Sequence, residues 1–216
     1  MANKSDLFLN LNRNEIEEFL KTSRAISINL KKGEELFLSG STPKYLFILE
    51  SGSVVVENVD INGKRSVVNI FKDVGTVFGE VYLYVDKSSY DFSAYANSDS
   101  RVLKIPKEAF KYTNEQTNPK IINNMLKILA DKAYYLNQKL LILSSVSLRQ
   151  KLIKYILQNS QTDELEFKLN REDLANFLGT TRPSISRELM NMQKNGLIDV
   201  EKNKIKFSRE KLLSLI

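Results

Sequence analysis

Between residues 33 and 105 the apolar positions come in short runs, at 35–38, 45–50, 53–59, 66–71 and 76–78, with two more at 91–96 and 101–105. Gly33, Gly40, Gly52, Gly63, Gly75 and Gly79 punctuate them. Strands of this length separated by turn residues predict an antiparallel barrel or sandwich. Asn62-Gly63 is a hairpin turn signal, because both residues tolerate positive φ. Ahead of the sheet, Asn12 and Glu15 have capping-box spacing, and Ile16, Phe19 and Leu20 mark the inner side of a short helix.

The period changes after residue 118. Asn118 and Pro119 suit an N-cap and a first-turn proline, and neither Gly nor Pro follows before residue 145. Ile122, Leu126, Leu129, Ala133, Leu136, Leu140 and Leu143 recur at alternating spacings of four and three, a heptad seam. Beside it runs a second apolar stripe of Ile121, Met125, Ile128, Tyr135 and Ile142. One helix with two apolar stripes needs two surfaces, its own β-domain on one side and a second copy of itself on the other. Lys127, Asp131, Lys132, Asn137, Gln138 and Lys139 leave a polar face, which argues against a helix buried all round within one chain.

The remainder predicts short helices and a hairpin. Residues 147–158 form a helix with Leu148, Leu152, Tyr155 and Ile156 on one face. Asn170 caps the next, with Glu172 and Asp173 in its first turn and Leu174, Phe177 and Leu178 on its apolar side. Gly179 ends it, Thr181 can cap a third helix to about Lys194, and Gly196 ends that one. Residues 198–200 and 205–207 then flank Glu201-Lys202-Asn203-Lys204, a hairpin with a basic tip. Helix, Gly-containing turn and a second helix with a basic start make a helix-turn-helix. In it Ile185 and Leu189 pack inward and push Arg182, Pro183, Ser186 and Arg187 onto the edge that enters a major groove. Arg can donate to guanine O6 and N7 together, and Ser can bond to more than one base. Thr181, Lys202 and Lys204 suit phosphate contacts.

Composition removes whole classes of chemistry. The 216 residues contain no Cys and no His. Thiolate and histidine metal sites, iron–sulfur clusters, histidine-ligated haem and Ser-His-Asp catalysis therefore fall away. No catalytic constellation, metal site or cofactor is expected, and the chain reads as a non-enzyme. The net charge is +6. Residues 147–216 hold 13 Lys+Arg against 9 Asp+Glu, or +4, and residues 1–146 hold 19 against 17, or +2. Most of the excess therefore lies with the helix-turn-helix, as an anionic partner requires. No apolar run has membrane-spanning length and the first residues lack a secretory pattern, so a cytoplasmic protein is expected.

Over about residues 7–216 the chain resembles the Crp/Fnr family of transcription regulators. The resemblance rests on Leu30-Lys31-Lys32-Gly33-Glu34, on Tyr45-Leu46-Phe47-Ile48-Leu49-Glu50-Ser51-Gly52-Ser53-Val54 and on Phe78-Gly79-Glu80 in the first part. In the second it rests on Thr181-Arg182-Pro183-Ser184-Ile185-Ser186-Arg187. It implies an α+β protein. An N-terminal antiparallel, jelly-roll-like β-roll sensor would occupy 1–117, a long dimerisation helix 118–145, and a winged helix-turn-helix 146–216. It implies a homodimer on a pseudo-palindromic duplex, with RNA polymerase contacted or blocked. Thr181, Arg182, Pro183, Ser184, Ser186, Arg187, Lys202 and Lys204 are the DNA-binding candidates. Of these, Arg182, Ser186 and Arg187 match the base-reading positions. Pro183 stands where the family often has Glu, so the half-site should differ at that base pair. The rival reading is a small-molecule-binding barrel whose helical tail serves protein assembly.

The effector pocket implied by the resemblance would comprise Phe78, Gly79, Glu80, Tyr90, Asp91, Leu136 and Asn137. In cyclic-nucleotide-responsive relatives a Gly-Glu turn and an Arg-Ser pair hold the phosphate, and two hydroxyl residues of the helix hold the base. Counting places Tyr90-Asp91 and Leu136-Asn137 at the latter two positions here. Asp91 repels a phosphate and Tyr90 carries no charge, so cyclic AMP is disfavoured. Phe78, Tyr82, Tyr84, Tyr90, Phe92 and Tyr95 either line a pocket for a neutral or cationic effector or fill the space themselves.

Overall fold

The computed structural model describes residues 4–60, 65–85, 87–110, 118–167 and 169–216. The chain divides into two compact units, Met1–Lys132 and Ala133–Ile216.

In the first unit, helix α1 (Arg13–Thr22) opens on the capping box expected of Asn12 and Glu15. Among the described residues eight strands follow: β1 (Ile26–Leu30), β2 (Glu35–Phe37), β3 (Tyr45–Ser51), β4 (Val54–Val59), β5 (Arg65–Phe71), β6 (Val77–Phe78), β7 (Ser93–Ala96) and β8 (Ser100–Pro106), with one helical turn, α2 (Val81–Tyr84), after β6. They form two four-stranded sheets, ordered β1-β8-β3-β6 and β2-β7-β4-β5, with every pairing antiparallel. Strand β1 is an addition to the strands that the sequence predicts. The expected turn at Asn62-Gly63 lies outside the described residues.

Strand β3 shows how the sheets are held. Its side chains alternate faces. Phe47 and Leu49 join Val54, Val56, Phe78, Tyr90, Ala94 and Val102 in a core drawn from both sheets. Leu46 and Ile48 point the other way, into a second core with Ile16, Phe19, Leu103 and Ile105. That second core also takes Ile121, Met125 and Ile128 from helix α3 (Pro119–Leu143). Asn118 accepts from the Lys120 N–H at 2.9 Å, as a capping residue does. Asn124, buried on the same helix, donates to the carbonyls of Leu7 and Leu9 at 3.0 and 2.8 Å.

The second unit holds the end of α3, then α4 (Leu148–Asn159), β9 (Glu164–Glu166), α5 (Arg171–Leu178), α6 (Arg182–Lys194), β10 (Ile198–Glu201), β11 (Lys204–Phe207) and α7 (Arg209–Leu213). Ile142, Leu152, Ile156, Leu174, Leu178, Ile185, Leu189 and Met192 share its core with Ile198 and Ile205 of the hairpin. The sheet order is β10-β11-β9. The third strand, β9, is an addition to the hairpin read from the sequence.

The two stripes of α3 have different surroundings. Ile121, Met125, Ile128 and Ile142 are buried, whereas Tyr135 of the same stripe is not. Of the heptad seam, Leu126, Leu136 and Leu140 are 60%, 62% and 65% exposed. Apolar side chains left in water at heptad spacing are a face without its partner. Among the described residues no helix is long and apolar enough to cross a membrane.

Candidate nucleic-acid interface and sensor interior

Asn170 at the N-cap of α5 accepts from the Asp173 N–H at 2.8 Å, and Glu172 and Asp173 face the positive end of the helix dipole. Leu174, Ala175 and Leu178 are buried. Gly179 then turns the chain at φ 64°, a left-handed conformation that a side chain would strain, and its N–H caps the carbonyls of Ala175 and Asn176. Helix α6 starts after Thr181, whose hydroxyl pairs with that of Ser184 at 2.9 Å and makes no side-chain bond to the backbone of the helix. Thr181 therefore takes the cap position expected of it without the expected cap bond.

On α6 the buried residues are Ile185, Leu189 and Met192. Their spacing of four and three fixes the opposite face. Arg182, Pro183 and Arg187 are exposed on it, with Ser184 and Ser186 half-buried beside them. Glu188 is held by Arg149 of α4 at 2.6 Å, which anchors α6 against rotation about its axis. Sequence reasoning missed this pair, whose members are 39 residues apart. The hairpin turns at Lys202, with φ 54°, and pairs Glu201 with Lys204 across β10 and β11. Lys202 and Lys204 are exposed, and Lys204 lies 3.7 Å from Glu166, a loose surface pair that phosphate can displace.

The interior of the β-roll is occupied by its own aromatic rings. Phe71, Phe78, Phe47, Phe37 and Tyr90 stack in that order, with centroids 4.7, 5.3, 5.4 and 4.1 Å apart. Tyr82 meets Tyr90 edge-on at 4.8 Å. Burial pushes the Tyr90 phenol up to about 12, so it stays neutral. A cleft of about 260 Å³ remains at the Tyr90 end, lined in part by Glu35, Ser41, Lys44, Tyr45 and Lys104.

The structure brings Phe78, Gly79 and Tyr90 together around this stack. A Cβ on Gly79 would come within 3.0 Å of the Phe47 ring, so the turn is packed tightly against the rings. Asp91 is exposed instead. Its carboxyl accepts from Lys87 at 2.6 Å and from the Tyr82 hydroxyl at 3.0 Å, and these bonds hold it below the usual carboxylate range. Glu80 is 5% exposed and is paired at 2.9 Å with Lys132. In the sequence Lys132 stands out only as part of the polar face of α3. Leu136 and Asn137 belong to the second unit, where both are exposed on α3.

Residues 27–116 match the family model of the cyclic nucleotide-binding domain, and residues 150–215 match that of the Crp-like helix-turn-helix domain. Electron transport regulator A of Shewanella oneidensis is 29% identical over 182 residues, spanning 80% of this chain and 70% of that protein. The transcriptional activator protein anr of Pseudomonas aeruginosa is 23% identical over 196 residues, spanning 86% and 76%. The solved Thermus thermophilus catabolite activator protein shares the fold with a TM-score of 0.56 at 20% identity, covering 98% of this chain and 100% of that one. A β-roll, a long helix with an unpartnered seam and a winged helix-turn-helix, in this order and with both domain matches, place the chain in the Crp/Fnr family of non-enzymatic, DNA-binding transcription regulators.

Proposed function

We propose that two copies of the chain pair along the seam from Ile122 to Leu143 and set their α6 helices in successive major grooves of an inverted repeat. The observation that carries this reading is the division of α6. Ile185, Leu189 and Met192 are spent on the core, which leaves Arg182, Pro183 and Arg187 exposed at its leading edge. Arg182, Ser186 and Arg187 read base edges, Pro183 offers only apolar contact, and Thr181, Ser184, Lys202 and Lys204 hold the backbone. Bound in the cytoplasm to such a site, the dimer contacts or blocks RNA polymerase. The β-roll occupies 1–117, the dimerisation helix 118–145 and the reader 146–216. The stack from Phe71 to Tyr90 supports a sensor that takes no cyclic nucleotide.

Arg187→Ala should relax one position of each half-site, at a cost of about 1–3 kcal/mol per half-site. Lys204→Ala should weaken cognate and random duplexes alike and flatten the salt dependence. Competition binding against single-base variants of the site separates the two. Equal weakening of cognate and random DNA by both substitutions would contradict these roles.

A further inference from the structure

Glu80 presents a carboxylate that is 5% exposed, at the junction of β6 and α2. A buried charge of that kind needs a partner. The partner comes from the chain itself. Lys132 Nζ lies 2.9 Å from Glu80 Oε1 and donates to the Val77 carbonyl at 2.7 Å. An ammonium has three donors, and two are engaged here. Lys132 thus ties one turn of the β-roll, Val77 to Glu80, to a single position on α3. The next residue is Ala133, the middle member of the seam.

The surroundings admit a solute. A cleft of about 260 Å³ borders Lys132 and is lined in part by Lys4, Asp6, Asp73, Thr76 and Val77. Its two carboxylates are balanced by two ammoniums, those of Lys4 and Lys132. The Lys132 side chain is 37% exposed, while that of Glu80 is 6% exposed. The acidic end of the pair is therefore deep and the basic end is reachable from water.

We propose that the Val77–Glu80 turn is a primary-ammonium site that Lys132 fills from within, making it a built-in substitute for an effector. With the site filled, the stance of α3 on the β-roll is set without any small molecule, and the seam is aligned for pairing. This rests on the reading that paired α3 helices position the DNA readers. A ligand or a side chain can bias such an arrangement only by favouring one state over another. Lys132 does so by neutralising Glu80 in one stance of the helix.

The test is chemical rescue in the full-length chain. Wild type, Lys132→Ala, Glu80→Gln and the double variant are measured for thermal midpoint and for affinity to the selected inverted repeat by fluorescence anisotropy. Each is measured alone, with n-propylammonium chloride and with tetramethylammonium chloride. Propylammonium replaces the atoms that Lys132→Ala removes, whereas tetramethylammonium has no N–H to donate. The wild type should bind with no added effector. Lys132→Ala should lose about 10- to 100-fold in affinity and lower the midpoint. Propylammonium should restore both in Lys132→Ala, and neither in the double variant. Glu80→Gln keeps the side-chain volume and removes only the charge, so it should show the same losses even if Lys132→Ala does not fold. Wild-type midpoint and affinity in Lys132→Ala or in Glu80→Gln would overturn the proposal. So would equal rescue by both salts. If the wild type finds no specific duplex, the DNA reading fails, and rescue of the midpoint still decides whether the ammonium site exists.

Discussion

Leu136→Asp should convert the protein from a dimer to a monomer at micromolar concentration. Leu136 is 62% exposed in the single chain, so the protomer loses little packing when it is replaced. Its helix loses about 0.7 kcal/mol of propensity, a small change. In a two-fold pair along the seam the aspartate enters twice, each time into apolar surroundings opposite its mate. Desolvating an unpaired charge costs several kcal/mol. Two such costs, at ~3 kcal/mol each, raise the dissociation constant by about four orders of magnitude. Light scattering reads the mass directly. A folded Leu136→Asp protein that remains dimeric would show that copies meet elsewhere.

Phe47→Ala should cost about 3–5 kcal/mol of stability in urea unfolding. Phe47 is 1% exposed and stacks between Phe37 and Phe78, at 5.4 and 5.3 Å. Its removal takes away transfer energy and two ring contacts, each worth about 0.5–1.5 kcal/mol beyond area. The void left is apolar, so it should stay dry and bind benzene, which raises the midpoint of the variant and leaves that of the wild type unchanged. The same packing predicts no heat when cyclic AMP is titrated into the wild type at submillimolar concentration. A loss below 1 kcal/mol, or cyclic AMP binding abolished by Glu80→Gln, would show an open sensor instead of a filled one.

The parts of this molecule that were legible in sequence are those with local causes. The α1 capping box spans four residues, the seam of α3 repeats within one helix, and the α5–α6 turn needs Gly179 and a few apolar positions on either side. Each is written in adjacent residues. Strand β1 was missed although Ile26, Ile28 and Leu30 alternate with Ser27 and Asn29. The turn before it uses Arg24 at φ 56°, with no glycine to mark it. Strand β9, three residues long, exists through its pairing with β11, which lies some forty residues on. The aromatic cluster was visible, but whether it lined a pocket or filled one depended on the face each ring took. Strand β3 sends Phe47 inward, β2 brings Phe37 over it, and Tyr90 closes the end. The Glu80–Lys132 pair was invisible for the same reason, since 52 residues separate its members. A buried carboxylate demands a partner, but sequence alone does not say which lysine supplies it.

Selection of genomic DNA fragments by the purified wild-type protein shows whether the paired α6 helices read one inverted repeat. One motif should be enriched, an inverted repeat with half-sites centred one helical turn apart or a multiple of it, bound without any added effector and lost in Leu136→Asp. Retention of fragments with no shared motif, falling away uniformly as salt rises, would contradict it.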